Sequence, residues 1–433
     1  MNQKTKKSNV AGYFYPKNKN ELKTQLDLFF QNANNSYNGE QIKALIVPHA
    51  GYIYSGQIAM EAYKKLYYYL SLDTHEKYKI IILAPSHHVY LKQIATMSYV
   101  NYNTPFGNVK LSKHKLQKYI HDEAFAKEHS VEVQLPYLQY IFKKAKKQFE
   151  VLPVLVGECD TKEISKIIET EINENTIIIA SSDLSHYLEY NQAIKTDKET
   201  IQNIMHGKKE IDACGKYPIL ILNQIYKCKK QLLKYTNSGE VTRDYSGVVG
   251  YASFCYFDKE KNILIMIAKK SIYNEINNKI DDFQEIKKTI SEEYKQKQSV
   301  FVTLTINGEL RGCIGEIYGR YSVVDSVIIN SKNAAFYDPR FYPLTKQEFE
   351  KIEIEISILS EPKDCKLEDI KKGDGVILIT EISSAIYLPQ VWEHFNTKQE
   401  FLESLCEKAM LNSDCYKNQK TKFKTFSVKI IKE

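Results

Sequence analysis

The sequence has no Cys-x-x-Cys pair, although it has eight cysteines: Cys159, Cys214, Cys228, Cys255, Cys313, Cys365, Cys406 and Cys415. That excludes zinc-knuckle and dithiol-redox spacing, and the iron–sulfur spacing of a radical enzyme. Eight in 433 residues is too dilute for a disulfide scaffold, so reduced thiols in a cytoplasm are expected. Long apolar runs are also missing. Stretches such as 177–180 fall far short of the roughly 20 residues that span a bilayer, so no membrane partner is expected. The start, MNQKTKKSNVAGYFYP, is basic with no apolar core behind it, unlike a signal peptide. Concentrated basic charge is lacking too. The formal net charge is only +7, and the densest run, Lys143-Lys144-Ala145-Lys146-Lys147, reads as a solvated helix end before an anion contact. No RNP, KH or zinc motif accompanies the 32 tyrosines, so nucleic acid is not expected as a partner.

What is present predicts two or three domains at roughly 100–200 residues each. Apolar runs at 42–47, 79–83, 149–156 and 176–180 read as strands, and 246–257 as a last one. Helical patterns at 56–70, 128–144 and 161–172 lie between them, which predicts an α/β architecture with a sheet buried on both faces. Asp258-Lys259-Glu260-Lys261-Asn262 is a polar break. Domains of 1–258 and 261–433 are expected, the second opening on a long amphipathic helix over 263–295. Nine of ten histidines precede the break; His394 alone follows it.

Three histidine motifs follow predicted strands. Val47-Pro48-His49 and Ala84-Pro85-Ser86-His87-His88 each place a proline, which cannot donate to a ladder, just before the imidazoles. Ser181-Ser182-Asp183-Leu184-Ser185-His186 follows the strand at 176–180; on a helical turn Asp183 and His186 would share a face. A fourth motif, Glu128-His129-Ser130-Val131-Glu132, is read as opening a helix, with His129 and Glu132 on one face. Ligands of open α/β sheets bind at the carboxyl ends of strands. Neutral imidazoles with a carboxylate suit iron, zinc or copper. The alternative is a hydrogen-bonded polar core without catalysis. No organic-cofactor motif occurs.

The runs AGYFYP (11–16), VPHAGYIYSG (47–56), APSHHV (84–89), EHSVEVQLPYL (128–138), LPVLVG (152–157), SSDLSHY (181–187) and VVGYAS (248–253) resemble the Memo family in order and spacing. The resemblance implies a fold similar to class III extradiol dioxygenases, which use non-haem iron. It matches His49 and His87 to metal-ligand histidines, Asp183 and His186 to further metal-pocket residues, and places His129 in another family motif; His129, His88 and Glu132 are taken as the catalytic candidates. Iron is favoured and copper is the other candidate. One departure concerns a cysteine ligand of eukaryotic members: its segment here, 235–251, has Val241 where the thiolate would stand. Glu240, Thr242 and Asp244 are candidate replacements, while Cys214 and Cys255 are read as buried structural thiols.

In the second half, Gly308-Glu309-Leu310-Arg311-Gly312-Cys313-Ile314-Gly315 and Asp338-Pro339-Arg340-Phe341 stand out. The glycines permit close backbone approach or positive φ. Arg311, Cys313, Asp338 and Arg340 form the candidate site, read either as anion binder and thiol or as structural lock. These motifs resemble the AMMECR family, which implies an α+β fold across 261–433. In prokaryotes Memo-like and AMMECR-like proteins occur with a radical-SAM protein, so the resemblance implies that partner, and a small molecule or RNA as the object of a shared task. A redox enzyme and a non-enzymatic scaffold both remain open.

Overall fold

In the computed structural model, which describes residues 4–433, the chain divides into two compact units, one ending at Glu260 and one beginning at Lys261. The first is built on a mixed sheet of β1 (Glu40–Val47), β2 (Lys77–Pro85), β3 (Ile94–Ala95), β4 (Gln148–Val156), β5 (Thr176–Ser181), β6 (Lys229–Asn237) and β7 (Val248–Glu260). Their spatial order is β6-β7-β1-β5-β2-β4-β3. The central β1, β5, β2 and β4 are parallel, with Val47 opposite Ser181 and Leu83 opposite both Ala180 and Val154. Their β-branched and leucine runs are buried residue after residue, as a sheet covered on both faces requires.

One face carries Ala44, Ile46, Ile81, Leu83, Leu152, Val154 and Ile178, packed on Ile164, Ile168, Ile201, Ile204 and Ile219 from three helices. Against β1 and β7 packs the helix Tyr52–Leu72. It begins directly after His49-Ala50-Gly51, so the β1 carboxyl end passes into a helix N-terminus beside the first histidine. Among the described residues, no helix is long and apolar enough to cross a membrane.

The second unit is α+β. A four-stranded antiparallel sheet runs Glu309–Gly315, Ser299–Ile306, Ile352–Leu359, Val428–Lys432, and a second four-stranded sheet lies around Gly375–Ile379. The helix expected over 263–295 is broken. It runs Ile263–Ile276, then stops where Asn278 takes φ of 51°, and two one-turn helices follow. Asparagine tolerates that left-handed conformation and ends helices with it.

The expectation of reduced thiols throughout is corrected at one pair. Cys406, in the last turns of the helix Lys398–Lys408, is disulfide-bonded to Cys415 with Cα atoms 5.8 Å apart. The helix end turns the chain back, so a separation of nine residues suffices to close the bond. The other six cysteines are free.

Candidate metal centre and a second-domain cluster

His49 and His87 leave the carboxyl ends of β1 and β2, and His129 comes from the loop before the helix Leu135–Lys144. Each offers a ligand atom within 4.8 Å of the others, and among the described residues this group could hold a metal ion. The His87 and His129 rings stack at 4.8 Å, while His49 stands edge-on to both.

Hydrogen bonds set the tautomers. The Ser181 hydroxyl donates to the Ser130 carbonyl (2.7 Å), so its oxygen accepts from His49 Nδ1 (3.0 Å) and from Gln134 Nε2 (2.8 Å). Gln134 is itself fixed by Tyr63 and the Pro48 carbonyl. His87 Nδ1 donates to Glu128 Oε1 at 3.0 Å. Both imidazoles thus donate from Nδ1, the arrangement of carboxylate- and hydroxyl-oriented metal ligands. Burial, with the neighbouring imidazoles, holds His49 well below its usual range and lowers His129 to about 4, so both are neutral at pH 7.

Glu128 is the organiser. Its buried carboxylate accepts from the backbone N–H groups of His87 (2.6 Å), His129 (2.9 Å) and Ser130 (2.9 Å) as well as from the His87 ring. Burial alone would raise its pKa, but these donors outweigh it and hold the carboxyl well below the ordinary range.

Glu132, expected beside His129, goes elsewhere. Regular helix starts only at Leu135, after a 3₁₀ turn at Glu132–Gln134, so no helical face joins 128, 129 and 132. The buried Glu132 carboxylate accepts from Asn9 N, Val10 N, Tyr15 and Tyr102 and pins the N-terminal segment. That segment walls the pocket: the Phe14 ring lies 4.8 Å from that of His129.

Asp183 and His186 do not share a helical turn. Residues 182–185 are irregular and His186 opens a short strand paired with β7. Asp183 Oδ1 accepts from His49 N (2.8 Å), and Oδ2 stands 3.9 Å from His49 Nε2. Burial raises its pKa to about 7 against the pull of the His49 and Ala50 amides. His186 is exposed and outside the trio. His88 is exposed, its ring 6.5 Å from that of His129.

Cys214 is the residue that sequence reasoning missed. Its Sγ lies 3.3 Å from His49 Nε2 and accepts from Asp183 N. Burial pushes its thiol pKa up. The one local signal is Gly215, where an added Cβ would sit 2.4 Å from that of Ser182: the cysteine loop is pressed onto the β5 end. The candidate replacements near Val241 are turned to other partners. Glu240 accepts from Tyr190, Asp244 from Ser246, and the Thr242 hydroxyl donates to the Ser238 carbonyl. Cys255 is buried, with Gln231 near its sulfur.

In the second domain the four marked residues converge on one strand edge. Arg311 grips Glu348 through Nε (2.8 Å) and Nη2 (3.3 Å). Asp338 accepts from Cys313 N (2.9 Å) and pairs with Arg340, whose Nη2 also donates to the Cys313 carbonyl (3.1 Å). Both guanidinium groups lie over Phe341. Gly312 meets the expectation of close approach: an added Cβ would stand 2.1 Å from the Ala334 carbonyl oxygen. Thr303 donates to Cys313 Sγ at 3.3 Å.

Comparison with known proteins agrees with this division. Residues 6–255 match the family model for Memo-like protein, and residues 265–431 match that for AMMECR1. A MEMO1 family protein of Nitrosopumilus maritimus is 34% identical over 275 residues, 56% of this chain and 96% of that one. One from Aquifex aeolicus is 35% identical over 276 residues, 57% and 97% of the two chains. Among solved structures, an uncharacterized protein from Pyrococcus horikoshii is 31% identical over 40% of this chain and 90% of its own, with a TM-score of 0.36. The chain therefore belongs to the Memo-like family, and it carries an AMMECR1 domain behind its Memo domain.

Proposed function

We propose that the Memo domain is a metal-dependent oxidoreductase of dioxygenase-like type, with iron held by His49, His87 and His129. The observation that carries this is the convergence of three imidazoles, two with Nδ1–H already engaged. Such a donor set fits a first-row transition ion and leaves positions open for substrate. A bound iron would supply Lewis acidity and one-electron chemistry. The protein's own part is orientation by Ser181 and Glu128, cover of His129 by the Phe14 ring, and a buried carboxyl at Asp183 able to hold or release a proton at Oδ2. The resemblance supports a radical-SAM protein as the partner of the two domains.

The test is elemental mass spectrometry of anaerobically purified protein beside His49→Ala, His87→Ala and His129→Ala. About one iron per chain, lost in all three variants, is expected, followed by dioxygen uptake with catechols. No metal even after reconstitution would sink the redox reading. The domain would then be a binding module, to be tested by pull-down with the radical-SAM partner.

A further inference from the structure

A second feature of the Memo domain lies at the other end of the sheet. A wide groove of about 1480 Å³ opens where Lys77–Lys79 begin β2, Gln148–Glu150 begin β4 and Asn173–Asn175 lead into β5. The histidines sit past the opposite ends of β1 and β2. From Lys77 to Pro85 the strand rises about 26 Å at roughly 3.3 Å per residue, so the two places are separate.

Nine lysines line the groove against two carboxylates, Asp27 and Glu150. Those two pair with Lys23 and Lys110, and Lys79 and Lys147 are matched from outside by Glu171 and Glu76. Lys19, Lys77, Lys113 and Lys143 make no ion pair with a carboxylate among the described residues, while Lys144 acts on Asp27 and lies over the Phe30 and Tyr67 rings. Four separate stretches of chain bring them to one concave surface, where like charges focus an anionic ligand. The groove floor adds two further observations. Ser112 Oγ and Asn175 Oδ1 are buried, line the groove and have no hydrogen-bond partner. Phe106 and Phe149, both half-buried, also line the groove.

We propose that this groove binds single-stranded nucleic acid. Its volume exceeds the roughly 300–1,000 Å³ of small-molecule sites, and its charge matches a run of phosphates. Phe106 and Phe149 offer faces on which unpaired bases stack.

The experiment is fluorescence anisotropy of the full chain with a labelled oligouridine, the same-length oligodeoxyuridine and a labelled polyglutamate. Raising salt from about 50 to 200 mM weakens RNA binding by about fiftyfold if four phosphates are held, at a slope of about −0.7 per phosphate. The triple variant Lys77→Glu, Lys113→Glu, Lys143→Glu loses about tenfold or more in affinity, and the milder triple change to Gln loses less, with unchanged circular dichroism. A charge-matched control, Lys195→Glu, Lys198→Glu, Lys209→Glu, stays within about twofold of the parent. Equal weakening by both glutamate triples, tighter binding of polyglutamate, or no binding of either strand at low salt would each overturn the proposal.

Discussion

Replacing Glu128 by glutamine removes one negative charge and one acceptor without changing shape. The carboxylate takes three donors on Oε1 (His87 Nδ1, His129 N and Ser130 N) and one on Oε2 (His87 N). A glutamine that keeps its oxygen in the Oε1 place turns its NH₂ toward the His87 N–H. The flipped amide faces three donors instead. The better placement still leaves one buried donor opposed, at a cost of about 1–3 kcal/mol. His87 also loses the charged partner that fixes its tautomer, which lowers metal affinity by about 10–100-fold. Two readings are needed on Glu128→Gln: metal affinity by chelator competition and the thermal midpoint. Both are expected to fall. A variant that loses stability but binds metal as tightly as the parent would show that Glu128 merely holds loops together, and the orienting role assigned to it would be wrong.

Four further outcomes follow from the same geometry. Glu132→Gln should cost about 1–3 kcal/mol in stability and expose residues 9–15 to protease, while metal content stays at the parental level; loss of metal would contradict the separation of the two carboxylates. The Glu348 carboxyl is held down to about 2 by Arg311 against an unfolded value near 4.5, so its contribution is present above about pH 4.5 and vanishes as pH falls through about 2. The sole tryptophan, Trp392, is buried against Phe401 in the second domain, so its fluorescence during acid unfolding should report that loss, with a flatter profile for Glu348→Gln; identical profiles would argue against it. Opening the loop of nine residues' separation between Cys406 and Cys415 should lower second-domain stability by about 2–3 kcal/mol, measurable as the denaturant midpoint of Cys406→Ser beside oxidised parent. Cys214→Ala, which takes the thiol away from His49 Nε2, should change the visible spectrum of cobalt-substituted protein if the sulfur reaches the metal; an unchanged spectrum would leave it a packing residue.

The sheet and the histidine-bearing strand ends were legible because their signals are local. Continuous apolar runs state that a strand is buried on both faces, and Pro48 and Pro85 state where it stops. Helix phase was not legible. The sequence Glu128–Glu132 fits a helical face, yet a 3₁₀ turn delays the helix and exchanges the duties of the two glutamates. The shared helical face of Asp183 and His186 was not formed for a similar reason, since their spacing matters only on a helix and the chain there runs into a strand. Cys214 lies 31 residues beyond Asp183, and nothing in its spacing says that the loop folds back onto β5. The groove lysines show the same limit on composition: a net charge of +7 looks diffuse until the fold gathers one part of it.

The N-terminal wall has a practical corollary. Asn9 bonds the Glu128 carbonyl and the Glu132 carboxylate, the Phe14 carbonyl accepts from Tyr52 N at the head of the helix after His49, and the Phe14 ring covers His129. An affinity handle cleaved close to this stretch, or a trimmed start made to aid crystallisation, would therefore alter the chamber itself. Preparations that differ only in how their first dozen residues were engineered would then disagree about metal content.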